Sequence, residues 1–380
     1  MKPEITLFRV SNYFFKAKQN FSDMIILGIE SSCDETAAAV VCDAENADGR
    51  ILSNVVLSQE NEHRPYGGIV PEIAARSHLE HVDHLIKQAL DDANVTLADV
   101  DGIAATGGPG LIGGVIVGVM SAKAIASVQQ IPFIAVNHLE GHALTARLTS
   151  DVEFPYLLLL VSGGHCQLLI VEGVGHYKRL GTTVDDALGE AFDKSAKMMG
   201  LGYPGGPIVE ATAANGDGTR FDLPRPMLGR QECHFSFSGL KTALRRQIER
   251  LNDGGNITDQ DIADLCASFQ EAAGDVLIDR CTNALKQFRD QYPAGDTLVV
   301  AGGVAANQRL GSRLSELEKA ENISLVVPPA ALCTDNAAMI AWAGLERLKA
   351  GDSDPLDFKP RPRWPLDPDA PAAIGAGVKA

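Results

Sequence analysis

The sequence predicts an α/β protein with two lobes, each a strand meander continued by helices and shorter strands. Three observations predict it. The chain has 380 residues, more than one ordinary domain needs. Apolar runs of strand length, broken by short polar turns, occur twice in the same order: MIILGIESS, AAAVVCD, ILSNVVLSQ and then YLLLLV, CQLLIV, YKRLGTT. Each set is followed by helix-length stretches and by a glycine-rich turn that leaves an apolar strand.

In the first copy, MIILGIESS turns at residues 33–36 into AAAVVCD and then ILSNVVLSQ. The connections are too short for a crossover helix, so this is a meander rather than a βαβ unit. PEIAARSHLEHVDHLIKQAL sets Ile73, Leu79, Val82, Leu85, Ile86 and Leu90 near a 3.6 period and predicts a helix with that apolar stripe. Then come the strand DGIAAT, a glycine loop, the helical run VIVGVMSAKAIASV and the strand IPFIAV. The second copy adds helices over DDALGEAFDKSAKMMG and DIADLCASFQEAAGDVLIDRCTNALKQF, the strand TLVVA, the turn GGVAANQRL, the strand SLVVP and a last helix, AAMIAWAGLERL. Residues 202–230, rich in Pro, Gly and Arg, read as an inserted loop region. The lobes span 24–150 and 151–350, with the last helix free to pack back on the first lobe. Residues 1–23 read as an extension, a disordered arm or an upstream start, and 355–380 as an irregular tail. Two such modules with facing polar turns are the layout of the actin/hexokinase-like (ASKHA) fold, duplicated ribonuclease-H-like modules with mixed sheets. Its members bind a nucleotide between the lobes.

Composition bounds the function. Forty-nine Asp+Glu against 33 Lys+Arg give a net charge of −16. That argues against a whole-surface nucleic-acid binder but leaves room for local basic patches. The seven cysteines (Cys33, Cys42, Cys166, Cys233, Cys266, Cys281, Cys333) are never spaced CxxC. This excludes a disulfide framework or a Cys-type zinc site and fits a reducing cytosol. No uncharged apolar run reaches the roughly 18 residues that span a bilayer, so a cytoplasmic protein without a membrane partner is expected.

Three glycine turns follow apolar strands: TGGPGLIGG from Thr106, Ser162-Gly163-Gly164-His165, and AGGVAAN from Ala301. Glycine lets a backbone approach phosphate, and helix N-termini offer free N–H groups. The first turn also satisfies GxGxxG, but the next strand ends in Asn137-His138, without the acidic residue a dinucleotide site needs. NHLEGH spaces His138 and His142 for one face of a helix, as a divalent ion requires. The alternative is two unrelated histidines on a solvated face. Glu140 lies on another side of that helix, so the HExxH arrangement of a zinc protease is absent. Asp335, in CTDNAAMIA, is a candidate third ligand and equally a helix N-cap. Asp34 and Glu35 end the first strand turn, where they either orient a phosphate or metal or simply face water. Asp193 either binds a ribose or amine, or pairs with Lys194 or Lys197.

The set GIESSCDET, GGIVPEIAARSHLEH, NHLEGH, VSGGH, DDALGEAFDK, YPGGP, FSFSGLKTA, AGGVAAN and CTDNAAMIA closely resembles the TsaD family, the transferase subunit of tRNA threonylcarbamoyladenosine synthase, formerly called O-sialoglycoprotein endopeptidase. The resemblance runs in order from Met24 to about Gly344. It implies metal ligands at His138, His142 and Asp335. It implies a substrate loop at Leu160, Val161, Ser162, Gly163 and Gly164, with further contacts at Asp193, Gly206, Asn307 and, as in some members, Glu210. Cys166 stands where the family commonly has Thr. The implied reaction moves a threonylcarbamoyl group from its adenylate to the exocyclic amine of the adenosine next to the anticodon, in tRNAs that read codons beginning with adenine, and releases AMP. One divalent metal per subunit is implied, Fe(II) in preference to Zn(II). Asp34, Glu35 and Asp193 are the candidates for handling the amine proton. Implied partners are tRNA, threonylcarbamoyl-adenylate, a homologous non-catalytic subunit (TsaB-like), a small ATPase (TsaE-like) and an adenylate-forming enzyme (TsaC-like). The basic patches expected to meet tRNA are Lys241, Arg245, Arg246 and Arg250, and Lys359, Arg361 and Arg363. A kinase-like phosphotransferase and a metal-less scaffold are the competing classes, and the His138/His142/Asp335 set argues against the scaffold.

Overall fold

The computed structural model describes residues 23–46 and 50–371. Residues 1–22 of the expected extension and the end of the tail, 372–380, lie outside the described residues. The chain opens with β1 (Ile25–Glu30), β2 (Glu35–Cys42), β3 (Ile51–Ser58), α1 (Glu60–His63), α2 (Pro71–Ala93), β4 (Gly102–Gly108), α3 (Ile112–Gln129), β5 (Phe133–Asn137) and α4 (His138–Thr149). It continues with β6 (Tyr156–Val161), β7 (Cys166–Gly173), β8 (His176–Thr182), α5 (Leu188–Met198), α6 (Gly205–Ala213), α7 (Ser238–Gly254) and α8 (Asp259–Gln291). It closes with β9 (Thr297–Ala301), α9 (Gln308–Glu321), β10 (Ser324–Val326), α10 (Ala330–Cys333) and α11 (Ala337–Lys349). The described residues fall into two compact units, one from the stretch up to Asp151 with Thr334–Leu366, the other from Val152–Cys333 with the stretch from Asp367. The last helix therefore counts with the first unit, together with the segment up to Leu366.

The first unit is a mixed sheet in the order β3-β2-β1-β4-β5, antiparallel through the meander and parallel from β1 to β5. Strand parity then sorts the side chains. Ile25, Leu27 and Ile29 join one core with α2 and α3 residues such as Val82, Val115 and Val119. The other parity, Ile26, Gly28 and Glu30, faces α11. A Cβ on Gly28 would stand 2.5 Å from the carbonyl oxygen of Ala337, so only glycine lets the first turn of α11 lie on β1. On α2, Leu79 does not belong to the buried stripe. It is 69% exposed, and His78 beside it is buried instead. His78 bonds Thr36 Oγ1 at 2.8 Å and the carbonyl of Cys33 at 3.1 Å, so a polar network takes a place that periodicity gave to leucine. Helix α3 has the length and apolarity of a membrane span but contains Lys123 and packs on β4 and α2.

The second unit repeats the plan, β10-β9-β6-β7-β8, with β6–β7 and β7–β8 antiparallel and β6–β9 and β9–β10 parallel. Its core joins Leu157, Leu159 and Val161 of β6 to α5, α7, α8 and α9. The stretch 202–230 is not all loop, because α6 occupies Gly205–Ala213. Its Pro207 sits in the first turn, where a missing N–H costs no helical bond. Helix α9 follows the glycine turn unpredicted, although Leu310, Leu314 and Leu317 form its buried stripe. In this core Phe269 and Phe192 meet edge to face, ring centroids 5.1 Å apart, and Phe269 is fully buried. Phe269→Ala is expected to destabilise the protein by about 3–5 kcal/mol through the cavity it leaves, measured as a lower urea midpoint at unchanged slope.

Candidate metal centre and substrate loop

The parity of β1 puts Glu30 on the α11 side, and the strand order puts α4 and α11 there too. Helix α4 starts at His138, directly after β5, with the Asn137 side chain accepting from Leu139 N as its cap. His142 follows one turn on. The cap of α11 is Asn336, whose side chain accepts from Met339 N. Asp335 is therefore not the N-cap, and its carboxylate is directed elsewhere. Its Oδ1 lies 3.2 Å from His142 Nε2 and 3.4 Å from His138 Nε2. One ligand atom from each of the three residues lies within 4.8 Å of the others.

Behind His138 stands Glu30, which sequence reasoning missed. Its Oε2 is 3.0 Å from His138 Nδ1 and accepts from Thr106 Oγ1 at 2.5 Å, while its Oε1 accepts from Ser32 N at 2.6 Å. A carboxylate only accepts, so it keeps the proton on Nδ1 and leaves Nε2 as a donor atom, the usual outer partner of a metal-bound histidine. The signal was a glutamate ending a strand otherwise wholly apolar. Burial works against a charged His138, yet Asp335 and Glu30 outweigh it and raise its imidazole well above the ordinary value. Burial likewise opposes ionisation of Asp335, but His138 and His142 hold its carboxyl far below the usual range. The neighbourhood calls for positive charge, and two imidazoles with one carboxylate are a donor set for one divalent metal. The trio fits a single ion.

Asp34 ends the turn between β1 and β2 and Glu35 opens β2, both half-buried rather than freely solvated. Burial first, then the charges of Asp34 and Asp335, push the Glu35 carboxyl well up.

The predicted substrate residues fall in the second unit. Leu160 and Val161 end β6 with side chains buried at 0% and 1% exposure, so only their backbone is available to a ligand. Ser162 closes the hairpin turn, its N–H donating to His165 O at 2.8 Å and its hydroxyl accepting from His165 N at 3.1 Å. Gly163 and Gly164 are exposed at the tip, with open space around them. Asp193 is engaged: Oδ1 accepts from Gly205 N at 2.7 Å at the start of α6, where Gly206 borders open space. Asn307 caps α9 through Leu310 N and donates to Gln270 at 3.1 Å. Glu210 reaches the same helix start, accepting from Gln308 N at 2.6 Å. Cys166 is fully buried at the start of β7.

Two expectations change. In the first glycine turn the Gly110 and Leu111 amides already donate to Pro362 O at 3.3 Å and Ser32 O at 2.8 Å, so these two amides serve packing. Lys241 is not a free phosphate ligand, since its ammonium lies 2.5 Å from Asp186, which Lys194 also holds at 2.6 Å. Arg246 and Arg250 are exposed on α7, Arg245 faces Glu249 at 3.5 Å, and Lys359, Arg361 and Arg363 are exposed.

The sequence model described as "TsaD: tRNA N6-adenosine threonylcarbamoyltransferase" matches residues 50–342. Proteins of that same name are similar over nearly the whole chain. One from Rhodospirillum rubrum is 66% identical over 357 residues, 93% of this chain and 98% of the relative. One from Paramagnetospirillum magneticum is 62% identical over 91% of this chain and 98% of its own. One from Brucella anthropi is 60% identical over 93% and 98%. Among solved structures, full-length HypF in its phosphate- and nucleotide-bound form aligns over 86% of this chain and 46% of its own, with a TM-score of 0.55 at 12% identity. HypF from T. kodakarensis gives the same score and identity over 86% of this chain and 48% of its own. These two likenesses concern the fold, which is actin/hexokinase-like. The protein is a transferase that modifies tRNA, and the chain belongs to the TsaD family of tRNA N6-adenosine threonylcarbamoyltransferases.

Proposed function

We propose that the chain transfers the threonylcarbamoyl group of threonylcarbamoyl-adenylate to the exocyclic amine of the adenosine next to the anticodon, in tRNAs reading codons that begin with adenine, and releases AMP. The observation that carries this is the convergence of His138, His142 and Asp335 with Glu30 behind His138, in a chain of this family. His138, His142 and Asp335 hold one divalent metal, iron in preference to zinc. When bound, it supplies Lewis acidity toward the carbamoyl carbonyl and a charge to orient the threonyl end. The exposed Gly163 and Gly164 present backbone N–H groups to the adenylate phosphate, and the turn at 302–303 does the same. Gly206, Asp193, Asn307 and Glu210 bound the nucleoside side. Asp34 and Glu35 take the proton the amine gives up, and the Glu35 carboxyl, raised above its ordinary value, is the better base near neutral pH. Arg246, Arg250, Lys359, Arg361 and Arg363 meet the tRNA backbone. The site works in the cytoplasm with a TsaB-like subunit and a TsaE-like ATPase, on adenylate supplied by a TsaC-like enzyme.

The test is mass spectrometry of tRNA nucleosides from cells depleted of this protein. Threonylcarbamoyladenosine is expected to disappear while its unmodified precursor accumulates, and an unchanged level overturns the reading.

A further inference from the structure

The segment from Asp354 to Trp364 forms no helix, yet it is bonded to both strands that support the metal trio. On β5, Asp354 N donates to Phe133 O at 2.8 Å and its carboxylate accepts from Ala135 N at 2.9 Å. At the end of that strand Asn137 is held from two sides. Its Nδ2 donates to Trp364 O at 2.9 Å while its Oδ1 accepts from Leu139 N at 3.0 Å, and the next residue is His138. On β4, Arg361 N donates to Gly107 O at 2.7 Å, one residue from Thr106, which donates to Glu30. The approach is close enough that a Cβ on Gly108, itself at φ +133°, would stand 1.7 Å from the Arg361 carbonyl oxygen. Phe358 anchors the middle, buried, with its ring centroid 6.3 Å from Phe133 and 5.8 Å from Trp364.

We propose that residues 354–364 are a strap that positions the metal centre. It fixes Asn137, and so His138, on one strand, and Thr106, and so Glu30, on the next. Asn137 is thus a positioning residue, acting through the histidine it precedes. The inference rests on reading His138, His142 and Asp335 as metal ligands.

Two variants cut the strap at separate places. Asn137→Asp keeps the helix cap, for which Asp serves as well as Asn, but has no N–H for Trp364 O and sets a carboxylate against that carbonyl. Arg361→Pro removes the N–H that bonds Gly107. Co(II) is titrated into the full-length metal-free chain and its visible absorption followed, with His142→Ala as the control that binds none. Both variants are expected to bind Co(II) about tenfold or more weakly, the loss typical of outer partners of a metal site, while keeping the parent's metal-free melting midpoint. Parent-like affinity in either folded variant overturns the proposal. So does a loss of affinity matched by a fall in the metal-free midpoint, because the segment then only stabilises the unit. If Arg361→Pro does not fold, Asn137→Asp alone decides. A parent chain that binds no Co(II) fails the metal-ligand reading itself, and the strap's role falls with it.

Discussion

Asp335→Ala is expected to abolish divalent-metal binding and to slow threonylcarbamoyl transfer by about 10³-fold or more, with the circular dichroism of the parent. The size follows from several kcal/mol of Lewis-acid stabilisation at about 1.4 kcal/mol per factor of ten in rate. The location follows from geometry, since Asp335 reaches both imidazoles, at 3.2 and 3.4 Å. The helix start should survive, because Asn336 provides the cap. Metal content and initial transfer rate, measured on the same preparation with adenylate and tRNA supplied, decide it. Parent-level transfer by a metal-free variant would remove the metal from the reaction.

Glu30→Gln should weaken metal binding by about 10–100-fold, as loss of a histidine's carboxylate partner does elsewhere. The substitution keeps the shape and removes the charge. It also brings an amide N–H₂ toward either Ser32 N or Thr106 Oγ1, which donate to different oxygens of the carboxylate, so a donor loses its acceptor. In the metal-free protein the same change should lower the raised proton affinity of His138, leaving Asp335 as its remaining carboxylate neighbour. A histidine NMR titration reads that shift separately from metal affinity. If neither quantity moves, Glu30 is a buried structural carboxylate and nothing more.

What was legible in the sequence was what repeats or alternates. The two meanders could be read because a strand buried on both faces is an apolar run of fixed length, ended by a polar turn. The trio could be read because His138 and His142 share a helical spacing. Asp335 needed either the family resemblance or the fold, since only the seating of α11 on Gly28 brings it to α4. Glu30 and Asn137 were overlooked because their roles depend on strand parity and on a segment more than 200 residues away, which no local pattern encodes. Lys241 is a case of the same kind. Its surroundings in sequence suggest a solvated helix face, and the partner that neutralises it, Asp186, lies 55 positions earlier. Helix α6 was hidden by Gly-Gly-Pro, which reads as a breaker in isolation and is harmless in a first turn.

The division of the chain also governs when the centre is made. The first unit is interrupted by Val152–Cys333 and resumes at Thr334. During synthesis at about 5–20 residues per second, β1 to α4 wait roughly 10–40 s for the intervening residues before Asp335, α11 and the strap emerge. Until then the sheet face carrying Ile26 and Gly28 has no α11 to cover it, and His138 and His142 have no Asp335 beside them. The centre therefore closes only once Thr334–Leu366 has been made: a chain that stops before Asp335 carries the two histidines without the carboxylate that faces them both.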